Sequence, residues 1–474
     1  MDPTTRSRAA CFVRRLMLAG AALLLAGCST LKPWQNQPIG PASPRPSGST
    51  VQLGAQEAPP SIIAAITLSG GGARAAAFGL GVLSELQATR FRWEGRETNV
   101  LDHVGLVSGV SGGSILATYY SAFGARTFSD FERDFLLADF QAGLLGQAFA
   151  PRALYHMSSP WYGRTDVLAE KLDKLYGGRT FADLQAQRRG PRLLVTATDL
   201  TTGAPFEFTP EQFALICSDL NSVPLSYAVA ASSAVPLLLS PVTLRNYAGS
   251  CPQAGQVVRA AHDERNLQAR LLNAIAESYL DAAQRPFLHL VDGGLVDNLG
   301  VRGLLDRTAA GGSLDTAFQN LPPGSVHKII LVSVDSERDT AERIDSSDRV
   351  PGTLQVLDAL VFGAGSRATK ETQASMQDSV RRWTGELAAV RGKQGSPFAA
   401  DAEVHVISVA LRNVKDKQVR ASLLQVPTAL TILPLQVRQL VAAGRAALRE
   451  SPEFEHLRAS LGARAAAAND QEVK

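Results

Sequence analysis

The stretch SIIAAITLSGGGARAAAFGLGVL, residues 61–83, joins an apolar run to three glycines and then to a run rich in alanine and leucine. The first run predicts a buried β-strand and the last predicts a helix. Glycine costs roughly 0.5–1 kcal/mol in regular structure, so three in succession indicate an unusual backbone geometry at the junction. Such a junction presents backbone N–H groups either to a bound phosphate or to an oxyanion that forms during a reaction.

Five later apolar runs resemble the first strand and are separated by segments of helical pattern. They are residues 103–111, 192–200, 287–294, 328–335 and 403–411. Short strands of this kind, alternating with helices, are typical of a mostly parallel central sheet flanked by helices on both faces, a three-layer α/β/α fold. Ligand sites in such sheets lie at the carboxyl ends of the strands. The glycine triplet, Ser111 and Asp292 each follow a predicted strand, which predicts one site at one edge.

The segment GVSGGS places Gly109, Ser111 and Gly113 in the pattern G-x-S-x-G. In a nucleophile elbow, a tight strand-to-helix turn exposes the serine hydroxyl, and side chains larger than glycine would collide there. A purely structural turn is the alternative, because this motif alone is only moderately specific. A phosphate loop fits poorly. The pattern G-x-G-x-x-G, started at Gly70, meets Ala75 instead of glycine, and no lysine stands at the P-loop position.

A general base for the serine is offered by VDGGLVDNLG, residues 291–300, where Asp292 is followed by Gly293 and Gly294. A buried carboxylate beside a serine hydroxyl can accept its proton. An ordinary Asp–Gly turn is the competing interpretation, because these residues are common in turns.

A conventional catalytic triad would instead need a histidine after the acidic residue. His327 and His405 satisfy this order in the chain. However, His327 precedes its predicted strand, and His405 lies inside one. His289 also lies inside a predicted strand and His103 starts another, so we expect all four histidines to be structural.

Taken together, these stretches resemble the patatin-like phospholipase family over residues 62–340. The family's G-G-G-x-R/K segment is matched by residues 70–74, and the G-x-S-x-G and D-G-G motifs follow in the same order. The segments ATDLTTGAPFEF, residues 197–208, and ASSAVP, residues 231–236, are also similar to family segments. Gly300 departs from the pattern, since the plant members have proline there.

The resemblance implies a serine acyl-ester hydrolase that cleaves phospholipids or lysophospholipids through a Ser–Asp dyad and an acyl-enzyme, with Ser111 as nucleophile and Asp292 as base. The oxyanion hole implied is formed by Gly70, Gly71, Gly72 and Arg74. Arg74 either braces the glycine segment or attracts a phosphate head group. No cofactor or metal is implied. The alternative from another class is a catalytically silent, lipid-anchored binding protein of the same fold, against which the intact serine, aspartate and glycines argue.

Residues 131–154 repeat large apolar side chains at helical spacing. Such a stripe is typical either of a lipid-facing cap over the elbow or of an ordinary core helix. Both interpretations remain open at the level of sequence.

The N-terminus has the pattern of a secretory signal. Two arginines precede twelve apolar or small residues that end at Gly27, too few for a membrane span, which needs about 20. The sequence LAGC, residues 25–28, resembles the lipobox of bacterial lipoproteins. That resemblance implies lipidation of Cys28 and, with Ser29 behind it, sorting to the outer membrane facing the periplasm. A plain secretory peptide is the alternative.

We therefore predict a signal peptide over residues 1–27, a proline- and glycine-rich tether over 28–60, a catalytic domain over 61–340, and a C-terminal extension over 341–474 that packs on the same domain. Within these, residues 336–352 are predicted to be a surface loop and 428–450 a helix. The even pair Cys217 and Cys251 makes a disulfide plausible.

The charge balance bears on the partners. The chain has 47 basic and 44 acidic residues, and the predicted signal peptide holds four of the arginines and one aspartate. The remainder is neutral, which gives no reason to propose nucleic acid as a partner. The expected partners are an acyl-lipid substrate and, through the lipid anchor, the membrane.

Overall fold

A computed structural model describes residues 29–40, 60–187, 190–251, 266–310, 313–338, 348–350, 352 and 364–472. The strands in this part of the chain are β1 Ile62–Leu68, β2 Arg90–Trp93, β3 Arg96–Asn99, β4 Val104–Val110, β5 Arg192–Asp199, β6 Pro205–Glu207, β7 Val242–Arg245, β8 Phe287–Asp292, β9 Val326–Asp335 and β10 Phe398–Ala410. The α-helices are α1 Gly72–Ala88, α2 Gly112–Phe123, α3 Thr127–Phe131, α4 Phe140–Ala148, α5 Pro151–His156, α6 Arg164–Tyr176, α7 Phe181–Ala186, α8 Pro210–Leu215, α9 Leu225–Ser232, α10 Leu267–Leu280, α11 Arg302–Ala310, α12 Leu314–Phe318, α13 Ala364–Val390, α14 Lys417–Leu424, α15 Pro434–Arg449 and α16 Pro452–Glu472.

Eight of the described strands form one sheet in the order β10-β9-β1-β4-β5-β8-β7, with β6 paired to β5. The strands from β10 to β5 run parallel to one another. β8 runs antiparallel to both β5 and β7, and β6 runs antiparallel to β5. The predicted fold class, a mostly parallel central sheet flanked by helices, is therefore confirmed. β2 and β3 pair only with each other.

Both faces of the sheet are covered, as the alternation along β1 shows. Ile62 belongs to a core cluster that includes Phe78 of α1. Its neighbour Ile63 belongs to a second cluster that includes Trp383 of α13. Successive side chains of a strand point to opposite faces, so an apolar residue at nearly every position of β1 is what a sheet between two helical layers requires.

Residues 29–40 pack along the domain, whereas the composition predicts a free tether over 28–60. Asn36 is fully buried, and its Nδ2 donates a hydrogen bond to the carbonyl oxygen of Arg245 (2.8 Å). The backbone amide of Trp34 also has a partner on the domain. The tether prediction is therefore wrong for this part, because its polar groups find partners on the domain. We call residues 29–40 the N-terminal strap.

The ends and the cysteines complete the description. Cys217 and Cys251 form the disulfide that the sequence left open. The predicted signal peptide and Cys28 lie outside the described residues. Among the helices that the structure describes, none has the length and apolar character needed to cross a membrane.

The C-terminal part of the chain is built into the same domain through β10 and the helices that follow it. The helix predicted over 428–450 is α15, which begins only at Pro434; proline suits the first position because the N–H it lacks would be unpaired there. The predicted surface loop over 336–352 begins with a residue, Ser336, that is almost completely buried. The first residue after β9 therefore belongs to the interior of the domain.

Candidate active site

Ser111 stands at a strained turn between β4 and α2. Its φ of 49° and ψ of −122° lie outside the regions that L-residues usually adopt. A Cβ on Gly109 would come within 2.6 Å of the Cα of Ser114, and a Cβ on Gly113 would collide with backbone carbonyls at the end of β1. Both flanking glycines are thus required for the turn to pack against its neighbours.

Hydrogen bonds hold this turn in place. The amide of Ser111 donates to Oγ of Ser232 (2.8 Å), which in turn donates to the carbonyl oxygen of Thr196 in β5 (2.6 Å). The carbonyl oxygen of Ser111 accepts from Oγ of Ser114 (2.6 Å). Ser232 is part of the ASSAVP segment, so the structure assigns this segment a positioning contact with the elbow.

β5 lies between Ser111 and Asp292 in the sheet. Val110, which precedes the serine, pairs with Thr196 of β5, and the next residue of that strand, Ala197, pairs with Asp292. The two candidate residues are therefore level with each other across one strand. The predicted site is at the sheet edge expected, but β8 reaches it running antiparallel, opposite to the direction that a parallel arrangement assumes.

The carboxylate of Asp292 is buried and hydrogen-bonded. It accepts a hydrogen bond from the amide of Gly294 (2.8 Å), and it lines the same cavity as Ser111. Burial raises the pKa of Asp292 to about 6, although the Gly294 amide and the nearby Ser111 hydroxyl act to lower it. A pKa near the working pH suits a group that must accept and return a proton.

The glycine segment forms the opposite side of the site. Gly71 has a φ of 137° and Gly72, which opens α1, has a φ of 61°, values that glycine adopts readily. Among the described residues, no acceptor pairs with the amides of Gly71 and Gly72. The amide of Gly70, by contrast, donates to the carbonyl oxygen of Asn298 (3.0 Å). Including Gly70 among the oxyanion donors was therefore wrong: its amide is already paired.

Arg74 braces this segment from behind. Its Nε donates to the carbonyl oxygen of Ser336 (2.9 Å), and its Nη1 donates to the carbonyl oxygen of Val426 (2.7 Å) and to Oγ1 of Thr428 (3.2 Å). Burial lowers the pKa of Arg74 to about 10, and the nearby charge of Arg338 adds to the effect. The guanidinium stays charged at neutral pH, and these contacts favour bracing over a primary role in attracting phosphate.

A cavity of about 90 Å³ opens over Ser111. Its lining includes the serine, the carboxylate, the glycine segment and groups from the C-terminal part: Gly70, Gly71, Arg74, Ser111, Val235, Asp292, Gly294, Leu295, Asn298, Glu337, Arg338, Ser366 and Thr428. A nucleophile, a carboxylate and the unpaired amide of Gly71 thus meet at one small cavity, the combination that acyl transfer requires.

The family model for patatin-like phospholipases matches residues 66–305, just over half of the chain. The chain belongs to this family. The match contains the elbow around Ser111 and the Asp292 turn, and it begins within β1, shortly before the glycine segment. The patatin-like region thus coincides with the part of the sheet that carries the candidate site.

No curated protein matches the chain. Among solved structures, human GIVD cytosolic phospholipase A2 is similar at 13% identity and a TM-score of 0.40, over 85% of this chain and 60% of the human chain. VipD from Legionella pneumophila is similar at 12% identity and a TM-score of 0.29, over 87% of this chain and 71% of that chain. This chain therefore spans less than two thirds of the length of the human protein.

Several groups that shape the patatin-like site lie beyond the matched range. Oγ of Ser336 donates to the carbonyl oxygen of Gly70 (2.9 Å), and the amide of Ala73 donates to the carbonyl oxygen of Ala429 (2.7 Å). Sequence reasoning missed both partners, since no motif marks them. The only available signal was that Ser336 directly follows a buried strand.

The segment after Asp292 contributes a further contact and explains one departure from the family pattern. Asn298, to which the sequence assigned no role, places its side chain against Gly70 and Gly294. Gly300 has a φ of 65°, whereas proline is restricted to a φ near −65°. The glycine that replaces the proline of plant members is thus required by the backbone found here.

The four histidines considered as alternatives to Asp292 all pair with side chains outside the cavity. Their ring nitrogens pair as follows: His103 with Thr98, His289 with Thr243, His327 with Asp401 and His405 with Glu403. Within the described ranges, no group of three histidine, cysteine or acidic residues could hold a metal ion.

The apolar stripe over residues 131–154 is divided between core and surface. Phe131 and Phe135 are fully buried, whereas Leu145 and Phe149 are largely exposed. The chain also breaks here into α3, a single π-helical turn, α4 and α5, so no continuous helix carries the stripe. The first half is core, and only the second half presents apolar side chains to the outside.

Proposed function

We propose that the chain is a serine acyl-ester hydrolase of the patatin type, with Ser111 as nucleophile and Asp292 as general base. The observation that supports this best is that Ser111 and the buried carboxylate of Asp292 line one cavity, level with each other across β5. The unusual backbone at Ser111 supports it as well, because strain of this kind is concentrated at functional sites.

In the proposed first step, Oγ of Ser111 attacks the ester carbonyl carbon while Asp292 accepts the hydroxyl proton. The carbonyl oxygen becomes an oxyanion, and the unpaired amides of Gly71 and Gly72 donate hydrogen bonds to it. When the tetrahedral intermediate collapses, the bond to the alcohol breaks and the alcohol takes the proton from Asp292. An acyl group remains on Ser111.

In the second step a water molecule attacks the acyl-enzyme, and Asp292 accepts its proton. The same amides stabilise the second oxyanion. Collapse releases the fatty acid and returns the proton to Ser111. One carboxylate thus handles the proton in both halves of the reaction, and no histidine is needed.

The substrate proposed is an acyl ester of a phospholipid or lysophospholipid. Membership of the patatin-like phospholipase family supports this class. A similar solved structure, the human phospholipase A2, is complexed with methyl γ-linolenyl fluorophosphonate, a fatty-chain probe. The guanidinium of Arg338 lines the cavity and is suited to the negative charge of a phosphate head group.

We further propose that the chain is a lipoprotein anchored through Cys28 and located at the outer membrane facing the periplasm. The LAGC motif supports the anchor, and the Cys217–Cys251 disulfide fits an oxidising compartment. Metabolic labelling with a palmitate analogue tests the proposal. Label should enter the wild-type chain and not Cys28→Ser, and label in both chains would contradict it.

Hydrolysis assays on the purified full chain test the activity, with p-nitrophenyl butyrate and a panel of phospholipids as substrates. Ser111→Ala and Asp292→Asn should both lose hydrolysis, while the matched control His327→Ala keeps it. Ser111→Ala should also lose labelling by a fluorophosphonate. If the wild type neither hydrolyses an ester nor takes the label, the chain is a lipid-anchored binding protein instead.

A further inference from the structure

Six large apolar side chains on segments connected to the cavity wall are unusually exposed. We call them the apolar rim: Phe149, Tyr155, Trp161, Leu237, Leu238 and Leu433, which are between 51% and 72% exposed. Isolated exposed apolar residues are normal, but a contiguous group of them marks an interaction surface. The six side chains form such a group only if the segments that carry them contact one another.

Leu237 and Leu238 form the tip of a turn that starts at the cavity. The amide of Leu239 closes the turn on the carbonyl oxygen of Val235 (2.9 Å), and Val235 lines the cavity with Ser111. The carbonyl oxygen of Leu237 accepts a hydrogen bond from Nη2 of Arg164 (2.7 Å). The turn therefore connects the cavity to the start of α6.

The other members of the apolar rim lie on segments that are linked to this turn or to the cavity wall. Trp161 lies three residues before Arg164, and Tyr155 and Phe149 lie on or next to α5 just before it. On the other side of the cavity, Thr428 lines the wall, and Oγ1 of Thr431 accepts the amide of Gln141 at the start of α4. Leu433 follows two residues later. The six side chains thus stand on segments that connect to the cavity wall.

The N-terminal strap begins at this same place. The amide of Ser29 donates to Oγ of Ser158 (2.9 Å), and the carbonyl oxygen of Leu31 accepts from Oγ of Ser159 (2.6 Å). Nζ of Lys32 lies 5.1 Å from the centre of the Trp161 ring. Cys28 is one peptide unit before Ser29, about 3.8 Å between Cα atoms. The residue that follows the proposed attachment point in the sequence, Ser29, is therefore held at the apolar rim.

We propose that the apolar rim is a membrane-docking surface, and that its partner is the lipid bilayer into which the acyl chains on Cys28 insert. This inference rests on the proposed function, namely lipidation at Cys28 and hydrolysis of acyl lipids. Lys32, Arg152 and Arg164 are exposed cations on the same segments as the apolar rim. They complement anionic head groups, as is typical of interfacial surfaces. Because the strap packs on the domain, the distance between the cavity and the bilayer is short. The cavity lies against the bilayer, not at the end of a flexible tether.

Tryptophan quenching by brominated phospholipids tests the docking directly. Of the four tryptophans, Trp161 is the one that is largely exposed, while Trp93 and Trp383 are buried and Trp34 is half-buried. The full chain is reconstituted into vesicles of phosphatidylethanolamine and brominated phosphatidylglycerol. We expect strong quenching in the wild type and its loss in Trp161→Ser. A chain that sediments with vesicles while Trp161 stays unquenched would overturn the proposal.

A matched pair of variants separates docking from catalysis. The double variant Phe149→Ser/Leu238→Ser changes exposed side chains that are not in the catalytic machinery. It should lower hydrolysis of vesicle phospholipid about tenfold, since docking is weakened, and leave hydrolysis of dissolved p-nitrophenyl butyrate unchanged. The control Leu267→Ser/Leu271→Ser alters two similarly exposed leucines on α10 and should change neither. Equal effects of the two double variants would contradict the proposal.

Two further outcomes distinguish the causes of failure. If the dissolved ester is not hydrolysed by the wild type, the proposed function fails, while Trp161 quenching still decides the docking. If the chain self-associates in detergent and Phe149→Ser/Leu238→Ser abolishes that association without any quenching in vesicles, the apolar rim is an interface between two copies and the docking proposal is wrong.

Discussion

At the scale of single residues, Asp292 combines burial with a negative charge. Burial disfavours the ionised carboxylate, and the nearby Gly294 amide and Ser111 hydroxyl only partly offset this effect. The result is a pKa of about 6, which lies above the usual range for aspartate. The same shift that makes the carboxylate a better base also makes the site costly to fold at neutral pH.

The activity should depend on pH through this group. Asp292 can accept the serine proton only when ionised, so kcat/KM for a dissolved ester should fall below about pH 6, approaching a tenfold loss per pH unit. A pH profile of kcat/KM on p-nitrophenyl butyrate measures this. A profile that remains flat down to about pH 4.5 would show that Asp292 does not titrate as the base.

The free energy of unfolding should change with pH in the opposite direction to kcat/KM. The folded pKa is raised, so on raising the pH the unfolded chain loses this proton first, and stability falls between about pH 4 and pH 6. Asp292→Asn removes the buried charge and should raise the free energy of unfolding by about 1–3 kcal/mol at pH 8. Denaturant titration at about pH 4 should show no gain, and an equal gain at both pH values would contradict this account.

At this scale, sequence reasoning reaches the residues that lie within motifs. Gly109, Ser111 and Gly113 could be identified because collisions in a tight turn leave glycine as the usual choice beside the nucleophile. The state of an individual amide could not be read this way. Whether Gly70 is free depends on Asn298, which approaches it from a distant segment.

At the scale of elements, the site is formed where the N-termini of α1 and α2 meet. A Cβ on Gly112 would collide with the backbone of Gly72, so the two helix ends are in direct contact. The unpaired N–H groups of a helix N-terminus carry partial positive charge. Two such ends therefore stabilise negative charge at the position where an oxyanion would form.

Gly113→Ala should disrupt this packing. The new methyl group meets rigid carbonyls of Leu68 and Ser69, so we expect a loss of about 1–3 kcal/mol in stability together with loss of activity. Gly146→Ala is the control, because Gly146 lies in α4 with no neighbour within 4 Å. That change should raise stability by about 0.5–1 kcal/mol. Chemical denaturation of both variants measures the difference, and similar effects would contradict the prediction.

Arg74→Met tests the bracing of the glycine segment. Without the hydrogen bonds to Ser336, Val426 and Thr428, the amides of Gly71 and Gly72 lose their fixed positions, and kcat should fall about 10²-fold, as when an oxyanion donor is removed. The fall should be equal for p-nitrophenyl butyrate and for a phospholipid. A loss confined to the phospholipid would instead assign Arg74 to head-group binding.

The elements themselves were largely predictable, since each strand that borders the site is a short apolar run. The direction of β8 was not, because a period of two is the same for parallel and antiparallel strands and only the pairing with β5 decides it. The stripe over residues 131–154 was ambiguous for a related reason. Helical spacing does not distinguish a buried face from an exposed one.

At the scale of the whole molecule, distant parts of the chain hold the domain together. The disulfide between Cys217 and Cys251 lies beneath the N-terminal strap, where the carbonyl oxygen of Cys217 accepts the amide of Ile39 (2.9 Å). The strap and the disulfide thus support the same corner. Composition alone suggested a tether here, since the partners of the strap are dispersed along the sequence.

Cys217→Ser should therefore destabilise the protein. The bond closes a loop with a sequence separation of 34, for which loss of the cross-link is worth about 3–4 kcal/mol. Denaturant titration of the wild type under reducing conditions should show a similar loss, and reduction should have no effect on Cys217→Ser. Equal stability of the oxidised wild type and the variant would contradict a structural role for the bond.

The contacts of Arg74 with the C-terminal part have a consequence for the time at which the protein becomes active. Arg74 and Val426 are separated by 352 residues, and ribosomes make the N-terminal end first. A growing chain contains Ser111 and Asp292 long before Val426, Thr428 and Ala429 exist to fix the glycine segment. On the proposed function, the nascent chain is inactive while it is being synthesised and exported, and the membranes that it crosses are protected until the final part of the chain folds.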